Sequence, residues 1–164
     1  MAFAPASIST ATRRCSTSWR GELVLADVNV LVYAYHEDAS GHAAYRDWLQ
    51  ELVNSDETYA VSDHILSGFL RIVTHAGVFD RPSPLDRALE FAVTVRDRPN
   101  AVPIAPGPRH WDIFVRLCRD GDARGNLVPD AFVAALAVEA GSELVTADRG
   151  FARFPGLRWR HPLA

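Results

Sequence analysis

Three aspartates carry the clearest chemical signal in this sequence. Asp27 closes the apolar run LVLAD at 23–27, Asp130 follows Pro129 at the head of a long apolar segment, and Asp148 ends LVTAD at 144–148. A carboxylate behind four apolar residues is expensive to bury unless it has a partner, a metal or water. Three such groups from distant parts of the chain point to a shared cation. Carboxylates with no His or Cys beside them suit hard Mg²⁺ or Mn²⁺ with several retained waters, not zinc. The histidines at 36, 42, 64, 75, 110 and 161 include no pair at zinc-binding spacing. A hydrated divalent ion activates water and neutralises charge on a phosphodiester, so the reaction class is metal-assisted phosphodiester hydrolysis. Two of the acids also have a structural use: the helix dipole favours Asp130 in a first turn, and Asp148 starts a turn with Arg149-Gly150; Asp27 is harder to explain that way.

The elements that must bring these acids together alternate between strand and helix. The run 23–27 is too short for a helix and reads as a buried parallel strand, followed by the apolar stretch 30–35. Within 41–53, Tyr45, Trp48, Leu49 and Leu52 recur at helical spacing. A second strand is expected at 58–61. Ser62 or Asp63 then caps a helix running to about His75, with Ile65, Leu66, Phe69, Leu70, Ile72 and Val73 on its apolar face. Ser83-Pro84 starts another helix, whose inner face is read as Leu85, Leu89, Ala92 and Val93. A third strand at 101–105, a helix opened by Gly107-Pro108 and running through Asp120, and a polar loop at 121–127 follow. Pro129 suits the first turn of a helix over 129–140 that Gly141 caps. A fourth strand covers 143–146, and 157–160 is a short fifth. This order predicts an α/β fold with a parallel sheet covered on both faces. In that topology strand C-termini and helix N-termini share one edge, where Asp27, Asp130 and Asp148 would meet.

Composition narrows the classes further. A chain of 164 residues is one domain by length, and its 48% apolar and 23% charged residues exclude disordered and collagen-like classes. Its longest apolar runs fall far short of the roughly 20 residues that cross a bilayer, so no membrane span is expected. Cys15 and Cys118 lie far apart with no second thiol near either, which argues against a disulfide framework and fits a reducing cytoplasm. The net charge is −3, and all seventeen basic residues are arginine. The missing lysine argues against phosphotransfer sheets that open in the same way but set a lysine against the phosphoryl group. Charge is uneven: residues 1–95 hold 7 Arg against 12 acids, and residues 96–164 hold 10 Arg against 8. Residues 1–21 are rich in Ser, Thr, Ala and Arg, without acids or apolar periodicity. They are expected to be a disordered extension, either a transit-type leader or sequence upstream of the true start.

Three segments in this order, LVLADVNVLVYAY at 23–35, SGFLRIVTHAGVF at 67–79 and NLVPDAFVAALAVEAGSELVTADRGFARFPGL at 126–157, resemble the PIN-domain ribonucleases, in particular the VapC-like toxins of bacterial toxin–antitoxin pairs. The resemblance covers 22–164. It implies a PIN-like three-layer fold with a mostly parallel sheet of four to five strands between helices. It makes Asp27, Asp130 and Asp148 the acidic metal ligands, Asn29 the polar residue that orients Asp27, and Thr146 the hydroxyl beside the site. Asn29 also suits a helix cap and Thr146 a plain strand position. Where the wider family carries a glutamate on the helix after the second strand, this chain has Gly68, which supplies no ligand and implies close packing or room for substrate. Asp63 or Asp122 would be the other sources of a carboxylate. The resemblance further implies structured RNA as substrate, transfer RNA or ribosomal RNA above all, a VapB-like antitoxin over the acidic cleft, and a homodimer. Arg109, Arg116 and Arg124 are the arginines expected to hold phosphate, with Arg119, Arg149 and Arg153 nearby in the chain. Trp48, Phe79 and Trp111 are candidates for partner surfaces. A PIN-like DNA nuclease and an inactive RNA-binding module, the latter favoured by Gly68, are the competing readings.

Overall fold

The computed structural model describes residues 23–164; the extension expected at 1–21, Cys15 included, lies outside the described residues. Five strands, β1 (Val24–Ala26), β2 (Tyr59–Val61), β3 (Ala101–Pro103), β4 (Glu143–Val145) and β5 (Trp159–Arg160), form one parallel sheet in the order β3-β2-β1-β4-β5. Six α-helices join them: α1 (Val28–Tyr35), α2 (His42–Asn54), α3 (Asp63–Val73), α4 (Leu85–Arg96), α5 (His110–Asp120) and α6 (Leu127–Ala140). Helix α1 packs on α2 and α3, α3 packs on α4, and α5 packs on α6. The parallel α/β prediction holds, and so does the three-layer description. No described helix is long and apolar enough to cross a membrane.

Local chemistry accounts for the start of α1 and the end of α6; at the start of α3, Ser62 takes the cap position without a side-chain bond. The 28–35 stretch is almost wholly apolar, so periodicity could not separate strand from helix; it folds as α1, starting at once behind Asp27. Helix α6 begins at Leu127, two residues ahead of Pro129, and ends where Gly141 adopts φ +65, a left-handed cap that spares a side chain the clash with its own carbonyl. The core is the sheet's apolar run plus the inner helix faces, with Leu25, Leu49, Ile65, Phe69, Leu117 and Leu144 fully buried. Truncating such a residue to Ala costs about 2–5 kcal/mol.

One helix turns a different face inward. Helix α4 buries Ala88, Phe91, Ala92 and Val95, while Leu85, Leu89 and Val93 are exposed. It carries two apolar stripes, and the larger side chain decides between them: Phe91 packs edge-on against Tyr35 at 5.0 Å and, tilted, against Phe69 at 5.0 Å. Of the expected surface aromatics, Trp48 is core, Phe79 stacks on His36, and Trp111 is open to solvent at 67%. Cys118 is a half-buried free thiol whose pKa burial raises, as suits a small hydrophobe.

Candidate active site

The chain runs outward from β1 to β2 and β3, then returns to place β4 on the other side of β1. In parallel sheets the carboxyl ends of strands at such a reversal form a crevice for ligands. The β1–β4 register pairs Leu25 with Leu144 and Ala26 with Val145, so the next residues, Asp27 and Thr146, face each other just past the sheet edge. The Asp27 N–H still bonds the Val145 carbonyl at 2.9 Å.

Asp27 is 5% exposed. Its Oδ1 accepts from the Val28 N–H at 2.7 Å, capping α1, and its Oδ2 accepts from Thr146 Oγ1 at 2.7 Å and Asn29 Nδ2 at 2.7 Å. Asn29 Nδ2 also donates to Thr146 Oγ1 at 2.9 Å, and Asn29 Oδ1 accepts from the Ala147 N–H at 3.0 Å. Thr146 Oγ1 in turn accepts from the Asp148 N–H at 3.1 Å. Asn29 and Thr146 thus hold one carboxylate rigidly and tie it to the loop that carries another. Burial still outweighs these donors and, with the charge of Asp148, leaves the Asp27 pKa raised.

Asp130 stands in the first turn of α6, half-buried. Burial first, then the charges of Asp27 and Asp148, push its pKa up to about 6, with Arg153 acting the other way. Asp148 is exposed and caps a short 3₁₀ turn, Arg149–Arg153, through a 2.7 Å bond from the Gly150 N–H to its Oδ1. The fold therefore brings the three acids within electrostatic reach of each other. Among the described residues, however, no group of three or more His, Cys, Asp or Glu side chains is gathered tightly enough to hold an ion directly. Mutually repelling carboxylate oxygens with no nitrogen or sulfur in the set fit a hard cation that keeps several of its waters, with some of the acids reaching it through water.

A cleft of about 830 Å³ opens in front of Asp27, Asn29 and Asp130; Asp148 is not among its lining residues. Its other wall is α3, which contributes His64, Ser67, Gly68 and Arg71. These positions fall on one helical stripe beside the buried stripe of Ile65, Phe69 and Val73, and that polar interruption of an apolar helix was the sequence signal for them. Arg71 is exposed and has no ion pair among the described residues. His64 rests against Phe132 at 4.5 Å, its pKa lowered by burial and by His110. Gly68 is a point of close approach: a Cβ there would stand 3.0 Å from Val28 Cγ2.

The other arginines lie elsewhere. Arg109 bonds the Glu139 carbonyl at 3.3 Å, Arg124 pairs with Asp122 at 3.0 Å, and Arg116 is exposed on α5; none of the three lines the cleft. Arg153 is near enough to lower the Asp130 pKa. Neither suggested substitute for a fourth acid lines the cleft: Asp63 is held by Arg96 at 2.8 Å, and Asp122 by Arg124.

Comparison with known proteins adds family to geometry. The PIN domain profile matches residues 24–157. The chain belongs to the PIN-domain family. The match takes in all three acids, Asn29, Gly68 and Thr146 of this PIN domain. The chain is 45% identical over 141 residues to VapC ribonuclease Mb2897 of Mycobacterium bovis, covering 86% of this chain and 96% of that protein. It is 39% identical over 140 residues to ribonuclease VapC25 of Mycobacterium tuberculosis, covering 85% and 99%. Among solved structures, VapBC2 of Rickettsia felis, crystallised with a DNA fragment from its promoter, superposes with a TM-score of 0.60 at 19% identity, over 85% of this PIN domain chain and 98% of that one.

Proposed function

We propose that this chain is a VapC-type toxin of the cytoplasm, an endoribonuclease that cuts RNA of the transfer or ribosomal kind with the help of Mg²⁺ or Mn²⁺. The observation that carries this reading is the buried, triply bonded Asp27 beside the half-buried Asp130 at the head of an open cleft, with Asp148 close enough for its charge to raise the pKa of both. The names of the relatives at 39–45% identity support ribonuclease as the activity. Asp27, Asp130 and Asp148 would hold the ion, which when bound would polarise a coordinated water and offset the charge developing on the phosphoryl group.

The chain's own residues do the rest. Thr146 and Asn29 fix the Asp27 carboxylate and so remove its freedom to turn away from the cleft. Arg71, without an ion pair among the described residues and across from the acids, grips a backbone phosphate, and Arg153 tempers the charge at Asp130. The α6 N-terminus beside Asp130 adds a positive dipole where anionic substrate approaches.

We also assign it a VapB-like antitoxin, supported by the VapBC complex it resembles in fold, and self-association as a homodimer. The exposed Trp111 and the α4 stripe of Leu85, Leu89 and Val93 are apolar surface that partners of this kind cover.

The deciding experiment is cleavage of structured RNA by the purified protein with Mg²⁺, Mn²⁺ or EDTA, beside matched DNA. RNA should be cut only with metal and much faster than DNA. Asp27→Asn, Asp130→Asn or Asp148→Asn should each slow cutting at least about 100-fold, the scale on which lost electrostatic stabilisation is measured. RNA that is bound but left intact with every metal would make the chain an inactive binding module.

A further inference from the structure

A second cavity, of about 510 Å³, adjoins the acidic cleft and takes no part in the chemistry above. Phe79 lines the cleft, His36 lines the second cavity, and the two rings stack with centroids 3.7 Å apart, so this pair stands between them. The remaining walls are Tyr35, Glu37 and Asp38 at the end of α1, and Arg81, Ser83 and Arg87 on the segment entering α4.

Its charge pattern is unusual. Among the described residues neither Arg81 nor Arg87 pairs with an acid, and neither Glu37 nor Asp38 pairs with a base, although all four line one cavity. Opposite charges within reach of each other normally close into ion pairs; here they stand apart, with their hydrogen-bonding groups uncommitted. His36 is 8% exposed, and its Nδ1 is buried with no partner among the described residues. Unpartnered buried polar atoms are uncommon and often mark a missing ligand or water.

A simple anion would meet Glu37 and Asp38, and a simple cation would meet two guanidiniums. The fitting ligand carries both complements: a phosphate for Arg81, Arg87 and the Ser83 hydroxyl, and an edge of hydrogen-bond donors for a carboxylate. Guanine is the base whose pairing edge sets two kinds of N–H side by side, matching the two oxygens of Glu37 or Asp38, whereas cytosine offers one amino group beside acceptors. The cavity is also well placed on the strand. Asp27, Val28, Asn29, Val32 and Tyr33, on α1 and its cap, line the cleft and residues 35–36 line the cavity, so Asn29 and His36 are about 10 Å apart along the helix at 1.5 Å per residue. We propose that this cavity is a nucleotide subsite that takes a guanine nucleotide close to the bond being cut, its phosphate on Arg81, Ser83 and Arg87 and its base on Glu37 or Asp38. Placing that nucleotide in an RNA strand rests on the ribonuclease reading; the pocket's affinity for the nucleotide does not.

The test is calorimetric and NMR titration of guanosine 5′-monophosphate onto the full-length protein, with cytidine 5′-monophosphate and inorganic phosphate as comparisons. The guanine nucleotide should bind at least about tenfold tighter than either and shift the His36 ring resonances. Arg81→Ala with Arg87→Ala should weaken both nucleotides about tenfold or more. Glu37→Gln with Asp38→Asn, both exposed positions, should remove the preference for guanine and leave phosphate affinity in place. With RNA, the double arginine variant should raise KM far more than it lowers kcat. Equal affinity for all three probes, or variants that bind like wild type, would overturn the subsite even if RNA is cut. Guanine binding with RNA left uncut would overturn the ribonuclease reading and leave the subsite standing.

Discussion

Asp130 shows most plainly how the site trades stability for chemistry. Its carboxyl titrates at about 6 in the folded chain against an ordinary 3.8, through burial and then the charges of Asp27 and Asp148. Between those values the folded state holds a proton that the unfolded chain has released. The stability this brings is complete below about pH 4 and lost as pH rises through 6, so the ionised form burdens the fold at neutral pH. Asp130→Asn should therefore stabilise the protein at pH 7.5 by about 1 kcal/mol, a figure discounted for a half-exposed group, while abolishing cleavage. Thermal melts should show a gain of about 2–4 °C that disappears below about pH 4. Thr146→Val works in the opposite direction. It keeps the shape but takes a donor from Asp27 and an acceptor from Asn29 and the Asp148 N–H. Chemical denaturation should register a loss of about 1–3 kcal/mol, and RNA cleavage should fall with it.

At the scale of elements, the contact of α3 with α1 sets how close the cleft wall stands to Asp27. A Cβ at 68 would meet Val28 Cγ2 at 3.0 Å, and Val28 is the residue whose N–H donates to the capping Asp27 carboxylate. Gly68→Ala alone should forfeit the roughly 1 kcal/mol that alanine gains over glycine in a helix, and should slow cleavage by shifting Val28. In a Val28→Ala background the same substitution should stabilise by about that amount, a coupling that a double-mutant cycle reads directly. The glycine itself was legible in the sequence, as was its meaning of close packing or room for substrate. Strand ends were legible too, because an apolar run stopped by Asp27 or by Thr146 and Asp148 is a local signal. What sequence could not decide was rotation about an axis. Helix α4 has apolar residues on two stripes, and only the Phe91 contacts with Tyr35 and Phe69 choose between them. Likewise, chain order put Arg109, Arg116 and Arg124 near the acids, whereas the fold turns Arg71, from a helix much earlier in the sequence, into the cleft.

The whole molecule carries a net charge of −3, so RNA must be held by a few arginines placed well and not by a broad basic surface. Arg71 in the cleft and Arg153 near Asp130, with Arg81 and Arg87 in the adjoining cavity, allow about four phosphate contacts. That predicts a slope of roughly −3 for log affinity against log salt, and Arg71→Ala should make it shallower by about 0.7, measured by fluorescence anisotropy on a non-cleaved RNA analogue. Everything at this scale depends on the acids of β1, α6 and the loop after β4 sharing one cation. The most direct measurement is the melting temperature at pH 7.5 as MnCl₂ is raised into the millimolar range, for wild type and Asp130→Asn side by side. Wild type should rise by several degrees as the ion relieves the repulsion, while Asp130→Asn should start higher and barely move. A wild-type melt indifferent to Mn²⁺ and Mg²⁺, or an equal rise in both proteins, would contradict a shared metal centre at Asp27, Asp130 and Asp148.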